Sequence, residues 1–587
     1  MIKLLEMEIK DKLPVSYLLF TTRGRINRAY YWMSSIFIWA TFYVLYTVIE
    51  LAINYPSTWV LYPVLVWSLF CTALKRLHDF NRSGYWLWVI LVPVLGPFYL
   101  IYLLGFKRGN NTSNKYGAVQ GLSTDYYING DAEFIPHLKT GERIVNDITR
   151  LNPILVSKVV APKSKVELLE IIKSTEYPIC IGGGRFSMGG QTASPYSMHI
   201  DLRGLNRILE FDPNSKTIKV EAGVRWCDIQ RIIDPENLSV KIMQSYANFT
   251  VGGSLSVNVH GRYIGLGPLI LSVKSLEIIL ANGELKQVSP DNNSELFYAC
   301  IGCYNAIGII VSVELELEDN ELMKRENIKM ESQEYKNFFF NNIRENKDVI
   351  FHNGDIYPPY YKNIRAVSWV KTNENATVKD RLMPLASSYP IERYMIDSFS
   401  KSKFGKWRRE HIIDPFYYSR KKIHWRNYEA GYDVLELEPE SRTTSTYVLQ
   451  EYFVPVNSFD SFLEKMSEIF IRFDVNVINI SIRHAKEDSG SLLAWAKEEV
   501  FAFVIYYKQF TSEVEKNKVG IWTRELINAV LEFDGSYYLP YQTHATSEQF
   551  HQAYPNAKKL FDLKNELDPN YKFRNVIWDT YYKKSNK

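Results

Sequence analysis

Two glycine-rich loops, roughly seventy residues apart, constrain this chain more than any other feature. They read Ile-Cys-Ile-Gly-Gly-Gly-Arg-Phe-Ser-Met-Gly-Gly at 179–190 and Thr-Val-Gly-Gly-Ser-Leu-Ser-Val-Asn-Val-His-Gly-Arg at 250–262. Each follows a short apolar run and is dense in residues that reach positive φ without a Cβ clash. Backbone N–H groups in such a loop can converge on an anion, so two loops in one domain can cradle a long diphosphate ligand. The chain therefore reads as a nucleotide-cofactor enzyme.

At 587 residues the chain exceeds one ordinary core, and about three domains are expected. Hydrophobic residues make up 46% and charged residues 23%, so composition forces no long disordered tract. A net charge of +4 lies too near balance to argue for a nucleic-acid partner. The five cysteines are scattered and odd in number, which is not a disulfide framework and mildly favours a reducing compartment. Cys300 and Cys303 form a Cys-x-x-Cys pair, but zinc needs a second ligand pair and none is nearby, so no metal is expected. Two small buried residues beside a glycine turn outweigh a redox dithiol.

Three apolar stretches, 30–53, 58–74 and 84–104, dominate the N-terminal part. A bilayer core takes about 20 helical residues, so the first and third are long enough and the second is marginal. Trp32, Tyr55, Trp59, Tyr85, Trp86 and Trp88 sit near the ends, as interfacial aromatics do. No small-residue cleavage site follows the first stretch, which excludes a signal peptide. Residues 1–117 are thus expected to be a membrane domain with about three transmembrane segments. Arg23, Arg25, Arg28, Lys75, Arg76 and Arg82 favour a cytoplasmic N-terminus and second loop. Lys107, Arg108 and Lys115 follow the third stretch, which contains Pro93-Val-Leu-Gly-Pro97. A broken third segment would return the chain to the cytoplasm, where the catalytic part is expected. The region resembles a small bacterial inner-membrane domain family through Gly24-Arg25-Ile-Asn-Arg28-Ala-Tyr-Tyr-Trp32, Lys75-Arg76-Leu-His78-Asp79, Ser83-Gly84, Pro93–Gly96 and Asn114-Lys-Tyr-Gly117. That resemblance implies a multi-pass inner-membrane protein and says nothing about chemistry. His78 and Asp79 read as a polar loop in which Asp79 pairs with Arg76 or Arg82, rather than as a catalytic pair.

Polar, glycine-containing sequence marks a linker at 118–142, after which short β-branched runs alternate with helical ones. Strands are predicted at 156–160, 178–181, 197–202, 217–222, 275–280 and 309–317, with an amphipathic helix at 165–174. The fold class is α+β: an N-terminal helical membrane domain, then a two-part nucleotide-binding α+β domain and a second α+β domain. A Rossmann fold fails on context, because Gln191-Thr-Ala-Ser-Pro intervenes where a helix must open after the glycines. The order of features resembles the FAD-binding domain of the vanillyl-alcohol oxidase and p-cresol methylhydroxylase superfamily. The matching pieces are Val145-Asn146-Asp147, Leu151-Asn152-Pro153, Val160-Ala-Pro162, the first loop, Ile200-Asp201-Leu202, Val220-Glu-Ala-Gly223-Val, the second loop and Gly302 … Gly308-Ile309-Ile310.

The resemblance covers about 143–320 and implies FAD as cofactor. By its order, Gly182, Gly183, Gly184, Arg185, Phe186, Ser187, Met188, Gly189 and Gly190 wrap the pyrophosphate. Gly252, Gly253, Ser254, Asn258, His260 and Gly261 run along pyrophosphate and ribose, with Gly308, Ile309 and Ile310 near the adenine. Many relatives carry a histidine in the first loop that bonds covalently to flavin. Arg185 and Phe186 stand there instead, so noncovalent FAD is expected. Arg185 can offer its guanidinium to the diphosphate; a bland role is the alternative. His260 reads as a flavin-proximal hydrogen-bonding group, or as a residue that packs the turn.

Residues 321–535 read as the substrate domain, with strands at 446–454, 477–482 and 500–506, and 536–587 as a segment returning to the FAD domain. Thr446–Pro455 and Tyr571-Lys-Phe573-Arg574-Asn575-Val-Ile-Trp578 resemble the sugar-acting branch of the superfamily, which includes aldonolactone oxidases and the flavin subunit of decaprenylphosphoryl-ribose epimerase. Strand alternation assigns Gln450 and Tyr452 to the pocket, with Arg483 and His484 as further candidates. Ordinary polar surface is the alternative for each. Where that branch has a lysine near flavin and substrate, Tyr541 stands by position, within Tyr537-Tyr538-Leu539-Pro540-Tyr541-Gln542-Thr-His544. A phenol carries no positive charge at neutral pH, so Arg483 or Lys486 would have to supply one. The expected function is oxidation of a CH–OH group of a sugar, aldonolactone or polyol, with Tyr541 or His544 assisting the proton. Electrons would pass to oxygen, a quinone or another acceptor, and the bilayer makes a quinone or a lipid-linked polyol attractive. The alternatives are an FAD-dependent double-bond reductase and a non-catalytic FAD-binding membrane protein.

Overall fold

The computed structural model describes residues 15–22, 24–53, 55–107, 109, 116, 141–384, 396, 398–400, 402–433, 442, 444–488 and 490–582. Arg108, Lys115 and most of the 118–142 linker lie outside the described residues. Asn27 caps the first long helix, Arg28–Ala52, accepting a hydrogen bond from the Tyr30 N–H at 2.9 Å. A second helical run covers Pro56–His78, and both it and the first are long and apolar enough to cross a membrane. The 84–104 stretch is not one helix. It forms a 3₁₀ segment, Gly84–Leu91, and a short α-helix, Leu95–Ile101, separated at 92–94, where Pro93 has no N–H to donate. Length and hydropathy give this stretch the look of a third span, and the break that Pro93–Pro97 allowed is what forms. At the end of the second run, Asp79 is buried between Arg25, whose Nε donates to it at 2.8 Å, and Arg76. Arg82 instead lies over the Trp86 ring at 3.9 Å.

The central region contains three sheets. A two-stranded ribbon joins β1 (Arg143–Val145) to β2 (Ile154–Val156). Strands β3 (Lys158–Val160), β4 (Ile179–Gly182) and β5 (Met198–Asp201) form a parallel sheet in the order β3-β5-β4. Ser164 caps the connecting helix Lys165–Ser174, which buries Leu168 and Ile172 four residues apart against this sheet. Strands β6 (Ile208–Asp212), β7 (Thr217–Glu221), β8 (Leu238–Val240), β9 (Val273–Leu280), β10 (Leu285–Val288) and β11 (Gly308–Asp319) form a third sheet, ordered β10-β9-β11-β7-β6, with β8 also on β11. The segment predicted as one strand at 156–160 is broken at Ser157, whose N–H turns to the Ser197 carbonyl at 2.9 Å.

The remaining strands, β12 (Leu322–Glu331), β13 (Val349–Ile356), β14 (Asn363–Lys371), β15 (Ile423–Trp425), β16 (Ser445–Pro455), β17 (Val477–Ala485), β18 (Val500–Phe510) and β19 (Ser536–Tyr537), form an eight-stranded antiparallel sheet ordered β15-β12-β14-β13-β17-β18-β16-β19. Helices cover one of its faces. Phe339 meets His484, Phe462 meets Tyr452 and Phe503, and Trp522 meets Tyr507. The opposite face of β16, β17 and β18 turns toward the glycine loops. The C-terminal segment closes back onto the central region. The Ile179 N–H donates to the Lys572 carbonyl at 2.6 Å, and the Arg574 N–H to the Ile179 carbonyl at 2.8 Å.

Candidate active site

Both glycine loops and the open face of the eight-stranded sheet line one cleft. The loops meet in contact. A Cβ built on Gly183 would lie 2.4 Å from Thr250 Oγ1, so only glycine lets them approach this closely. Phe186 of the first loop stacks on Phe249, just ahead of the second, with ring centroids 4.2 Å apart. Among the described residues, the backbone N–H groups of Gly183, Gly184, Phe186 and Ser187 find no acceptor. A row of unspent donors beside apolar walls (Ile148, Leu202, Val259, Ile310) suits a diphosphate joined to flat rings. These residues fit FAD.

The first loop is held from behind. Asp147, fully buried, accepts from the Gly190 N–H (2.9 Å), Thr149 Oγ1 (2.5 Å) and Asn152 Nδ2 (2.7 Å). Burial raises its pKa, and those donors oppose the rise. Gln191 Nε2 donates to the carbonyls of Leu539 (2.9 Å) and Tyr541 (2.7 Å), and the Met188 N–H to that of Pro540 (2.7 Å). These bonds bring Tyr541 to the cleft. Gly189 serves the same junction, since a Cβ there would lie 2.2 Å from the Tyr541 carbonyl oxygen.

At the sheet side of the cleft, four side chains gather. Glu451 of β16 and His260 of the second loop are each about 3% exposed and meet at 2.6 Å, Oε1 to Nε2. His260 Nδ1 lies 3.1 Å from the Gly261 carbonyl oxygen, which can only accept, so Nδ1 carries a proton. Nε2 faces Glu451 Oε1, so both ring nitrogens of His260 are engaged. The Tyr541 hydroxyl donates to Glu451 Oε2 at 3.3 Å. Burial, and then Glu451, push the Tyr541 phenol well above its usual pKa, so it stays protonated. Arg483 of β17 also lines the cleft, and its Nε is buried without a hydrogen-bond partner among the described residues. Burial lowers its pKa and nearby Glu451 raises it.

Several sequence assignments change. Gln450 and Tyr452 point away from the cleft. Gln450 Nε2 donates to Thr523 Oγ1 at 2.8 Å and the Tyr452 hydroxyl to Gln450 Oε1 at 2.7 Å, beneath the covering helices. Tyr447, Leu449 and Glu451 take the cleft face instead. His544 is directed at the helix Glu513–Leu531, where a Cβ on Gly520 would lie 3.2 Å from its Nδ1. Its pKa is held down to about 4 by burial and Arg524. His484 pairs with Glu499 at 2.7 Å on the covered face, and Lys486 is exposed outside the cleft lining, which leaves Arg483 as the cation of that pair.

Of the cofactor candidates, Gly182 through Met188, Gly252, Gly253, Ser254, His260 and Ile310 line the cleft. Gly189, Gly190, Asn258, Gly261, Gly308 and Ile309 support it from outside. Asn258 Nδ2 donates to Asp488 at 2.8 Å, and Ile309 packs with Leu168 and Ile172. Cys300 and Cys303 are free and buried, with both thiol pKa values raised by burial. No cluster of metal-ligating side chains occurs among the described residues. Glu451 was missed by sequence reasoning, although a carboxylate within an apolar strand is a signal in itself.

Comparison with known proteins agrees with this geometry. Residues 156–289 match the FAD binding domain family, and residues 19–118 match a family described as a protein of unknown function (DUF805). A decaprenylphosphoryl-β-D-ribose oxidase of Mycolicibacterium smegmatis is 31% identical over 145 residues, 24% of this chain and 31% of that protein. An alditol oxidase of a Streptomyces species is 24% identical over 158 residues, covering 27% of this chain and 38% of that one. The L-gulonolactone oxidase of Mus musculus is 19% identical over 408 residues, 67% of this chain and 87% of that one. The chain thus spans about a third of the length of the first two relatives. It carries an FAD-binding domain of the oxidoreductase type, fused to an N-terminal membrane-type domain.

Proposed function

We propose that this chain is a membrane-anchored, FAD-dependent oxidoreductase acting on a CH–OH group of a sugar, aldonolactone or polyol. The observation that carries the reading is the buried Glu451–His260 pair, which opens onto the cleft that both glycine loops line. Bound FAD supplies a hydride acceptor, chemistry that no side chain provides. The N–H groups of Gly183, Gly184, Phe186 and Ser187 hold its diphosphate. Glu451 Oε2, the carboxylate oxygen that His260 does not engage, is the proton acceptor for the substrate hydroxyl, and the protonated Tyr541 phenol beside it orients that hydroxyl by hydrogen bonding. Arg483 supplies the positive charge that Tyr541 lacks. Both ring nitrogens of His260 are engaged, and no cysteine lines the cleft, which supports noncovalent FAD. Acid precipitation should therefore leave a colourless pellet and a yellow supernatant.

The relatives are named for oxidation of a polyprenyl-linked ribose, alditols and a sugar lactone. With two helices able to cross a bilayer, a lipid-linked polyol substrate or a quinone acceptor lies within reach of this chain. The deciding measurement is an anaerobic absorbance titration of detergent-purified protein with sugars, aldonolactones and polyols. Bleaching of the flavin band by one class supports the reading and identifies the substrate type. Bleaching by a nicotinamide alone would replace it with a double-bond reductase, and protein that takes up no FAD would refute it.

A further inference from the structure

The segment 403–419 is helical throughout, from Lys403–Arg408 through a π turn at Arg409–Ile413 to Asp414–Ser419. At this length a helix spans about 25 Å. One side of it is anchored. Arg409 donates to the Ile478 carbonyl (2.7 Å) and to Asn479 Oδ1 (2.9 Å), Glu410 accepts from Asn363 Nδ2 (2.6 Å), and Asp414 accepts from the Tyr357 hydroxyl (2.9 Å). The other side is apolar and bare: Phe404 is 66% exposed, Trp407 47%, Ile412 54% and Phe416 65%. Trp407 stacks between Phe404 and His411, with centroids 5.9 and 5.0 Å away. Nothing among the described residues covers this strip. An exposed aromatic surface of this kind is uncommon on a soluble domain and marks an interaction site.

Charge selects the partner. Residues 402–422 hold seven Lys and Arg against two Asp and Glu; both acids turn inward onto the sheet, as does Arg409, while Lys406 is buried and Lys421 pairs with Glu374. What faces outward is an aromatic strip flanked by exposed Lys403 and Arg420. That pairing suits the headgroup boundary of an anionic bilayer, where rings enter the acyl region and cations meet phosphates. Position matters as well. Asn479, which Arg409 grips, lies opposite Tyr506 in the β17–β18 register, and Tyr506 lines the cleft. The strip therefore lies on the cleft-bearing face of the sheet.

We infer that 403–419 is an interfacial helix that seats the substrate domain on an anionic lipid surface, with the cleft side turned to the bilayer. This rests on the membrane-anchored reading above, and the test separates the two. Full-length protein carrying Phe404→Cys or Phe416→Cys is labelled with an environment-sensitive fluorophore and reconstituted into phosphatidylcholine–phosphatidylglycerol vesicles. All five native cysteines are buried, so the label goes to the introduced thiol. A Val514→Cys variant, on the helix covering the opposite sheet face and 55% exposed, is the control. The expected result is strong quenching at 404 and 416 by bromolipid and little by aqueous iodide, with the reverse at 514. Protein that floats with the vesicles yet leaves 404 and 416 as open to iodide as 514 overturns the inference alone. Protein that does not float removes the membrane anchoring, and the inference with it. Protection of 404 that grows with protein concentration and needs no lipid would assign the strip to a second copy of the chain and overturn the bilayer.

Discussion

Replacing Gly183 by alanine should weaken FAD binding through a single contact, and a second substitution should restore it. The new Cβ would sit 2.4 Å from Thr250 Oγ1, 3.5 Å from Thr250 Cβ and 3.6 Å from Cγ2. Only the hydroxyl oxygen clashes, and the loops must part by about 1 Å to bring it to ordinary contact. Thr250 is buried and β-branched, so two of its three rotamers place a heavy atom at that spot. Overpacking of this kind costs about 1–3 kcal/mol, which corresponds to roughly 5- to 150-fold in affinity if loop spacing sets the diphosphate site. Thr250→Ala removes the hydroxyl, breaks no hydrogen bond among the described residues and leaves the remaining contact at 3.5 Å. Titrating apoprotein with FAD and following flavin fluorescence gives all four affinities of the double-mutant cycle. The two substitutions should couple, with the double variant close to Thr250→Ala. Wild-type affinity in Gly183→Ala, or losses that simply add, would refute a cofactor site set by the contact of the two loops.

Glu451→Gln preserves the shape of the cleft and removes the carboxylate that meets His260. FAD retention should be unchanged while flavin bleaching by the active substrate slows about 10²- to 10⁴-fold; an unaltered rate would take the proton-accepting role from Glu451. Lys564, fully buried, donates to the Ala306 carbonyl (2.7 Å), Asp568 Oδ2 (2.9 Å) and the Phe573 carbonyl (3.0 Å), clipping the returning C-terminal segment to the central region. Lys564→Met strands the Asp568 carboxylate and should cost about 3–5 kcal/mol, read from denaturant unfolding, with partial recovery on adding Asp568→Asn. Glu499 is held down to about 2 by hydrogen bonds from His484 and Arg344, below the range of an unfolded carboxylate. A depressed carboxyl stabilises the fold above its unfolded pKa and loses that contribution as pH falls through the folded value. Wild-type stability should therefore decline between about pH 4.5 and 2, and Glu499→Gln should flatten that decline.

Much of the α+β architecture was legible in the sequence because its signals are local. Glycine clusters after apolar runs, the amphipathic pattern of Lys165–Ser174 and β-branched runs at β9 and β11 each depend on neighbours a few residues away. Pro93 and Pro97 were equally local: 84–104 has the length of a span, and the break that these prolines allowed is present at 92–94. The face of β16 was not legible. The ten positions from Thr446 onward are almost all buried, so the polar–apolar alternation that normally marks a strand's inner face is absent, and the face of Glu451 could not be told from that of Gln450. The central pair of the cleft lay still further from view: His260 and Glu451 are 191 residues apart in the chain and meet at 2.6 Å. Sequence by itself determined which segments can form strands, loops and membrane helices, since backbone preference and burial pattern act over short range. Which side chains share the cleft was decided only when the eight-stranded sheet docked against the glycine loops, because that contact depends on register and packing between segments that have no local knowledge of one another.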